Sequence, residues 1–124
     1  MHIDFDYQDD VCILRTKGRF ATGLDADYLR SKTDEIKKSG RRKVLADFHD
    51  VPYIDSTGIG FLIGIFTSVM KSPDGRFVLC NLNRRVREVL ELTRLANVMA
   101  IYANEEAAMR ALQEGQKLSA PQAS

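Results

Sequence analysis

Apolar residues along this chain fall into two kinds of segment, separated by turn-forming residues. Short apolar runs are typical of buried strands, and they predict strands at residues 3–7, 11–16, 43–48, 76–81 and 98–102. Longer stretches repeat their apolar positions with the period of a helix, at residues 25–39, 56–71 and 84 to about 94, with a last helix after Asn104. The pair Asp9 and Asp10, and the S-P-D-G sequence from Ser72, are clear turn signals.

The order of these elements predicts the fold class. The first two strands can pair as a hairpin, and the later strands alternate with helices, which indicates crossover connections and a mainly parallel sheet. We therefore expect one α/β domain over residues 1–115, with a mixed, mostly parallel sheet packed against helices. Residues 116–124 are polar, lack apolar periodicity and are predicted to be a disordered tail. The predicted core consists of Val44, Leu45, Ile54, Leu62, Ile65, Phe66, Val78, Leu79 and Leu90.

Composition and charge narrow the classes of partner. The 124 residues carry a formal net charge of +1, so overall charge gives no reason to expect nucleic acid or an anionic membrane. Two basic runs, at residues 41–43 and 84–87, each stand at the start of a predicted element and are interpreted as solvated ends. The longest apolar stretch, residues 59–70, is too short to span a bilayer, and the acidic N-terminus does not resemble a signal peptide. A cytoplasmic protein is therefore expected.

The side chains that most often carry chemistry show no catalytic or metal-binding pattern. Cys12 and Cys80 lie in separate apolar runs and are interpreted as buried, reduced thiols. Neither histidine has partners at ligand spacing, so no metal or other cofactor is expected. A hydrolase could use Ser56 as nucleophile with the nearby His49 and Asp50, but the G-x-S-x-G sequence of a nucleophile elbow is absent. The protein is therefore not expected to be an enzyme.

The most informative segment is D-S-T-G at residues 55–58, between a predicted strand and a hydrophobic helix. Backbone N–H groups at a helix start lack partners within the helix, so the position favours a phosphate. A phosphate on Ser56 would place about −1.5 to −2 charges at one spot. From these residues alone, however, Asp55 or Ser56 is more often simply a helix cap. A switch and a cap are therefore two open interpretations of this segment.

A rotation of 100° per residue assigns the side chains of this helix to sectors. The small and polar sector is assigned Ser56, Gly60, Gly64, Thr67 and Lys71, with Phe61 on its far border. A broad sector that can reach the core is assigned Ile59, Leu62, Ile63, Ile65, Phe66, Val69 and Met70. Glycine in a helix interior costs about 1 kcal/mol relative to alanine, so the two glycines require a reason. They either admit a partner or seat a neighbouring element of the same domain.

The stretch 45–60, with its D-S-T-G core, resembles the signature of the STAS domain, a family named for sulfate transporters and anti-sigma-factor antagonists. It is most similar to the small bacterial antagonists, and the resemblance continues through residues 11–18, 76–81, 86–95 and 101–112. The resemblance implies a sheet with helices packed on one side. Two departures are Arg94, where such antagonists often carry glycine, and residues 19–25, a longer link than usual near the expected partner face.

The resemblance also implies a role for Ser56. Such antagonists bind an anti-sigma-factor serine kinase when unphosphorylated, which frees the sigma factor, and the kinase ends the complex by phosphorylating the serine that matches Ser56. The implied partner-binding residues are Asp55, Thr57, Gly58, Gly60, Phe61, Gly64 and Thr67. A monomer or weak dimer without nucleic-acid or membrane partners is expected. The alternative is a structural STAS subunit of a stress-signalling or lipid-transport assembly, without a cycling phosphoserine.

Overall fold

The computed structural model describes residues 2–18 and 26–122, with side chains as far as Glu114. Its elements are β1 (His2–Gln8), β2 (Val11–Lys17), α1 (Ala26–Lys38), β3 (Lys43–Asp50), α2 (Ser56–Met70), β4 (Arg76–Cys80), α3 (Arg84–Leu92), a 3₁₀ turn (Leu95–Asn97), β5 (Ala100–Tyr102) and α4 (Glu105–Gln122). Every predicted strand and helix has a counterpart, and apart from the end of α4 the described ends agree within two residues. The predicted longer link, residues 19–25, lies outside the described residues.

The five described strands form one mixed sheet in the order β1-β2-β3-β4-β5. Strands β1 and β2 are an antiparallel hairpin, and each later pair of neighbours is parallel. Leu45 in β3 pairs with Ile13 of β2 on one side and with Val78 of β4 on the other. The predicted α/β class and the mixed, mostly parallel sheet are confirmed. The four parallel strands end at the same edge of the sheet, and the loop from β3 to α2 leaves from that edge.

Side chains alternate along the strands and build a core on each face of the sheet. One core contains Val44 and Leu79 and is covered by buried residues of α1, α2 and α3. The other contains Leu45 and Val78 and is covered by α4, whose Leu112 is fully buried there. The expectation of helices on one side of the sheet is therefore wrong. Strands that are apolar on both faces require a cover on both faces, and α4 supplies the second.

The predicted core is confirmed at eight of its nine positions, which are at most 3% exposed. The exception is Phe66, which is half-buried and meets Phe77 edge-on with ring centroids 5.8 Å apart. Cys12 and Cys80 are buried free thiols, as interpreted from the sequence. Burial raises the pKa of Cys12 to about 11 and that of Cys80 to about 12, so both stay protonated and unreactive at neutral pH.

Arg94, the position where the resembling antagonists often carry glycine, follows the end of α3 with a left-handed φ of 65°. A left-handed residue is a common way to end a helix, and glycine adopts it without steric cost. The departure at Arg94 therefore keeps the helix ending but adds backbone strain to it.

The last helix extends further than the sequence predicts. Helix α4 is described as far as Gln122, whereas residues 116–124 are predicted to be a disordered tail. Its covered positions, Ala108, Met109 and Leu112, all precede that segment. That the tail is dispensable for folding stays a prediction.

Candidate functional site

The loop between β3 and α2 is fastened from two directions. Val51 and Ile54 point into the core and are 1% and 2% exposed. The side-chain amide of Asn83 donates hydrogen bonds to the backbone carbonyls of Val51, at 3.3 Å, and Pro52, at 3.1 Å. The amide oxygen of Asn83 also caps α3 by accepting from the N–H of Val86 at 2.8 Å. The loop and the start of α3 are therefore held together.

Helix α2 begins with Asp55 as its N-cap and Ser56 as its first helical residue. The Asp55 carboxylate accepts from the N–H of Gly58 at 3.0 Å, and its carbonyl accepts from the N–H of Ile59 at 2.8 Å. The cap interpretation is therefore confirmed for Asp55, which leaves the exposed Ser56 hydroxyl uninvolved in capping. Among the described residues, the N–H groups of Ser56 and Thr57 have no acceptor. Such a helix start favours negative charge.

An exposed stripe, called here the α2 face, runs along α2 from Ser56. Gly60, Ile63, Thr67 and Met70 follow at steps of three or four residues, and all are exposed. Ile63 and Met70 are 40% and 44% exposed, so their predicted place in the core sector is wrong. Seven residues make almost two helical turns, which returns both side chains to the side of Ser56. The α2 face is therefore partly apolar, as well as small and polar.

Two predicted partner-binding residues are buried, and a third is half-buried against a neighbouring helix. Phe61 is 3% exposed and packs on Tyr28 of α1 with ring centroids 5.7 Å apart, so its side chain is not on the surface that a partner could contact. Gly58 is buried. A Cβ on Gly64 would lie 2.6 Å from Cδ2 of Leu29, so this glycine seats α1 against α2. The packing alternative therefore accounts for one of the two helix glycines.

The other predicted partner-binding residues reach the surface, since Asp55 is half-buried and Thr57, Gly60 and Thr67 are exposed. Gly60 differs from Gly64, because a Cβ there would meet no described atom within 4 Å. Its φ is not in the left-handed region either. The described part of the domain thus gives no steric or conformational reason for glycine at a helix position where it costs about 1 kcal/mol.

An aromatic ring and an arginine extend this surface toward α3. Tyr53, in the loop before α2, is 36% exposed. The guanidinium carbon of Arg85, in the first turn of α3, lies 5.4 Å from the centroid of the Tyr53 ring. This is a cation–π distance, so the two side chains are held together at the surface.

The residues considered for a hydrolase are not assembled into a triad. The His49 side chain is 76% exposed, and its Nε2 is 4.0 Å from the Asp50 carboxylate. No described hydrogen bond joins either residue to Ser56. Within the described ranges no group of His, Cys, Asp and Glu could hold a metal ion. No helix in that part of the chain is long and apolar enough to cross a membrane.

The sequence profile of the STAS domain matches residues 2–108 of this chain. The chain belongs to the STAS domain family. It is 25% identical over 114 residues to the anti-sigma F factor antagonist of Paenibacillus polymyxa, covering 91% of this chain and 96% of that protein. It is 36% identical over 81 residues to the anti-sigma-B factor antagonist of Bacillus subtilis strain 168, covering 65% of this chain and 72% of that protein. A crystal structure of a candidate anti-sigma factor antagonist from Thermotoga maritima matches with a TM-score of 0.82 at 29% identity, covering 90% of this chain and 94% of that one.

Sequence reasoning missed the contact between Tyr53 and Arg85 in this STAS domain, and it interpreted the basic run at residues 84–87 only as a solvated helix end. The signal lay in the topology. Strands β3 and β4 are parallel neighbours, so the segments that follow them leave the sheet side by side. An exposed aromatic after β3 and a basic run after β4 are therefore candidates for contact.

Proposed function

We propose that this STAS domain is a phosphorylation-switched antagonist of an anti-sigma factor. The unphosphorylated form binds an anti-sigma-factor serine kinase through the α2 face and so releases the sigma factor, and phosphorylation of Ser56 ends the complex. The proposal rests on the position of Ser56, an exposed hydroxyl at the first residue of α2 and at one end of the α2 face. Relatives named as anti-sigma factor antagonists support it. The protein acts by binding and is not an enzyme.

Ser56 is proposed as the acceptor rather than its neighbour Thr57. One helical step turns the side chain by about 100°, so Thr57 lies on the side of α2 that includes Gly64, seven residues further on. That side is approached by α1 through Leu29. Ser56 instead shares its side with Ile63, which is exposed. A charge on Ser56 would therefore stand on the surface that a partner can contact.

The α2 face has the features of a protein contact surface. Gly60 leaves the helix backbone open, so that a partner's backbone could approach closely. Ile63 and Met70 offer exposed apolar area next to it, and burying such area drives association. These residues replace Gly58, Phe61 and Gly64 as the proposed centre of the contact.

The switch requires no change of fold. A phosphate on Ser56 would lie beside the N–H groups of Ser56 and Thr57, where a helix tolerates or favours negative charge. Its effect arises at the interface, where about −1.5 to −2 added charges lose water or meet a partner's acidic group. A tenfold loss of affinity requires only about 1.4 kcal/mol, which is a modest effect for such a charge.

The test is a binding and labelling assay with each purified anti-sigma-factor kinase of the source organism. We expect one kinase to bind the wild-type chain and Ser56→Ala, to label wild type but not Ser56→Ala, and to bind the phosphorylated chain at least about tenfold more weakly. Ser56→Asp should fold but bind less well than wild type. Ser68→Ala removes a hydroxyl from another side of α2 and should be labelled like wild type.

Two results would reject the switch. One is equal affinity of the kinase for the phosphorylated and unphosphorylated chains. The other is labelling of Ser56→Ala as fast as wild type. Either result, or binding by none of the kinases, would favour the structural-subunit alternative. A phosphopeptide that contains Ser56, recovered from the native cell, would independently support the cycle.

A further inference from the structure

The Arg85 guanidinium contacts the ring of Tyr53 and makes no other described interaction. A second pair of this kind, Arg41 over Tyr7 at 4.5 Å, lies elsewhere in the fold. The guanidinium of Arg41 also donates to the backbone carbonyls of Asp9, at 3.1 Å, and Ser39, at 3.4 Å. Arg85 has no described hydrogen bond or ion pair besides its contact with Tyr53. Its donors are therefore available to another molecule.

The charges at the start of α3 oppose the helix dipole. Arg84, Arg85 and Arg87 all lie in its first four residues, and no acidic residue accompanies them in the first turn. Positive charge at a helix N-terminus is unfavourable, and like charges this close repel. Arg84 is offset by Glu88, whose carboxylate lies 3.0 Å from its Nε. No described carboxylate lies within ion-pair distance of Arg85, so within the described residues its contact with the Tyr53 ring is the one favourable electrostatic interaction of its charge.

The patch formed by Tyr53 and Arg85 lies close to the start of the α2 face. Tyr53 precedes Ser56 by three residues, a span of at most about 11 Å along the chain. Asn83, next to the first turn of α3, is hydrogen-bonded to the carbonyls of the same loop. A protein that covers the α2 face from Ser56 onward would therefore reach this patch as well.

We propose that Tyr53 and Arg85 form a second contact of the partner interface, which receives an acidic group of the protein that binds the α2 face. The inference rests on the proposed function, since it concerns the same partner. Its chemistry follows from the exposed guanidinium, which recognises a carboxylate through paired N–H groups. The cation–π contact with Tyr53 restricts the Arg85 side chain before the partner arrives, so less rotamer freedom is lost on binding. Tyrosine and arginine are also enriched among the residues that dominate interface energies.

The experiment compares charge reversal at Arg85 with the same change on the opposite face of the sheet. The kinase that labels Ser56 is titrated against wild type, Arg85→Glu, Arg85→Lys and the control Arg110→Glu. Arg110 is an exposed arginine of α4 that pairs with Glu106 at 3.2 Å, far from the α2 face. We expect Arg85→Glu to weaken binding at least about tenfold and Arg110→Glu less than about twofold, with Arg85→Lys in between. The difference between wild type and Arg85→Glu should shrink between about 50 mM and about 500 mM salt.

The outcomes separate this inference from the proposed function. If the kinase binds wild type and responds to Ser56 phosphorylation, but Arg85→Glu binds like Arg110→Glu, the second contact is rejected and the switch is kept. If no kinase binds wild type, both are rejected. Melting curves show whether Arg85→Glu is folded. If Arg85→Glu does not fold, two other measurements test the inference. Either a wild-type affinity that does not depend on salt, or an affinity of Arg85→Lys equal to that of wild type at every salt concentration, would overturn it.

Discussion

Replacing Gly60 by alanine should make this domain more stable and its partner complex weaker. Gly60 lies inside α2, its φ is not in the left-handed region, and an added Cβ would meet no described atom within 4 Å. The substitution therefore removes the conformational freedom of glycine without a steric cost. The free energy of unfolding should rise by about 0.5–1 kcal/mol.

Two other glycines provide matched comparisons. At Gly64 the added Cβ would lie 2.6 Å from Cδ2 of Leu29, so that side chain must rotate and the gain should be smaller or reversed. At Gly75 the Cβ would lie 2.0 Å from the carbonyl oxygen of Val69, which the backbone holds in place. Gly75→Ala should therefore destabilise the fold by about 1–3 kcal/mol or more. The expected order of stability is Gly60→Ala, then Gly64→Ala, then Gly75→Ala.

Urea denaturation and thermal melts of the three variants and wild type measure these effects. A gain of about 1 kcal/mol corresponds to a rise of roughly 3–6 °C in Tm for a domain of this size. The kinase that labels Ser56 should bind Gly60→Ala at least about tenfold more weakly, if its backbone approaches the helix at this position. A Gly60→Ala variant less stable than wild type would show that another part of the chain covers Gly60. Higher stability with unchanged affinity would remove Gly60 from the proposed contact.

Four further substitutions or deletions test the fold itself. Leu62→Ala should cost about 2–5 kcal/mol in a denaturant melt, because Leu62 is 1% exposed, and a loss near zero would contradict its core position. Arg94→Gly should raise the free energy of unfolding by about 1 kcal/mol, because it relieves a left-handed φ of 65°, and a loss of stability would show that the arginine side chain matters. The hydrogen bond from Lys43 lowers the pKa of Asp10 below its ordinary 3.8, so this pair stabilises the fold above pH 3.8 and loses its effect as the pH falls through the lowered pKa. In melts from pH 7 to pH 2, Asp10→Asn should therefore be less stable than wild type at pH 7, with a difference that shrinks below pH 3.8. Deleting residues 116–124 should change Tm by less than about 2 °C, and a drop of several degrees would show that the tail docks on the domain.

The fold could be predicted from the sequence because each element has a local signal. The continuous apolar runs around Leu45 and Val78 identify buried parallel strands, and the turn residues mark their ends. The same runs also imply a second cover for the sheet, since alternate side chains point to opposite faces. The family resemblance implied helices on one side of the sheet only, and this signal was not used. Leu112 of α4 is buried against the second face, which shows that the expectation was wrong.

The candidate site could be predicted in part. The seven-residue spacing of Ile63 from Ser56 is enough to place both on one side of α2. The assignment of Ile63 to the core sector was therefore a mistake in the helix rotation, and the sequence itself held the correct answer. The cap at Asp55 needed the structure, because aspartate and serine at a helix start give the same local signal. The contact of Arg85 with Tyr53 could also be found only from the structure, because about thirty residues separate the two along the chain.

Gly60 and Gly64 show most directly why tertiary structure is needed to interpret such a site. Both are helix glycines with the same local cost, and nothing within α2 separates them. Leu29 of α1 explains Gly64, while the described fold offers no neighbour for Gly60. Arg85 is a similar case for charge. Its positive charge at the start of α3 is locally unfavourable, and no described carboxylate offsets it. Local choices in a natural sequence generally agree with its fold, and exceptions concentrate at functional sites. Gly60 lies about one helical turn after Ser56, and Arg85 contacts Tyr53, three residues before Ser56. These two exceptions are therefore the strongest physical reason to expect a partner on this surface.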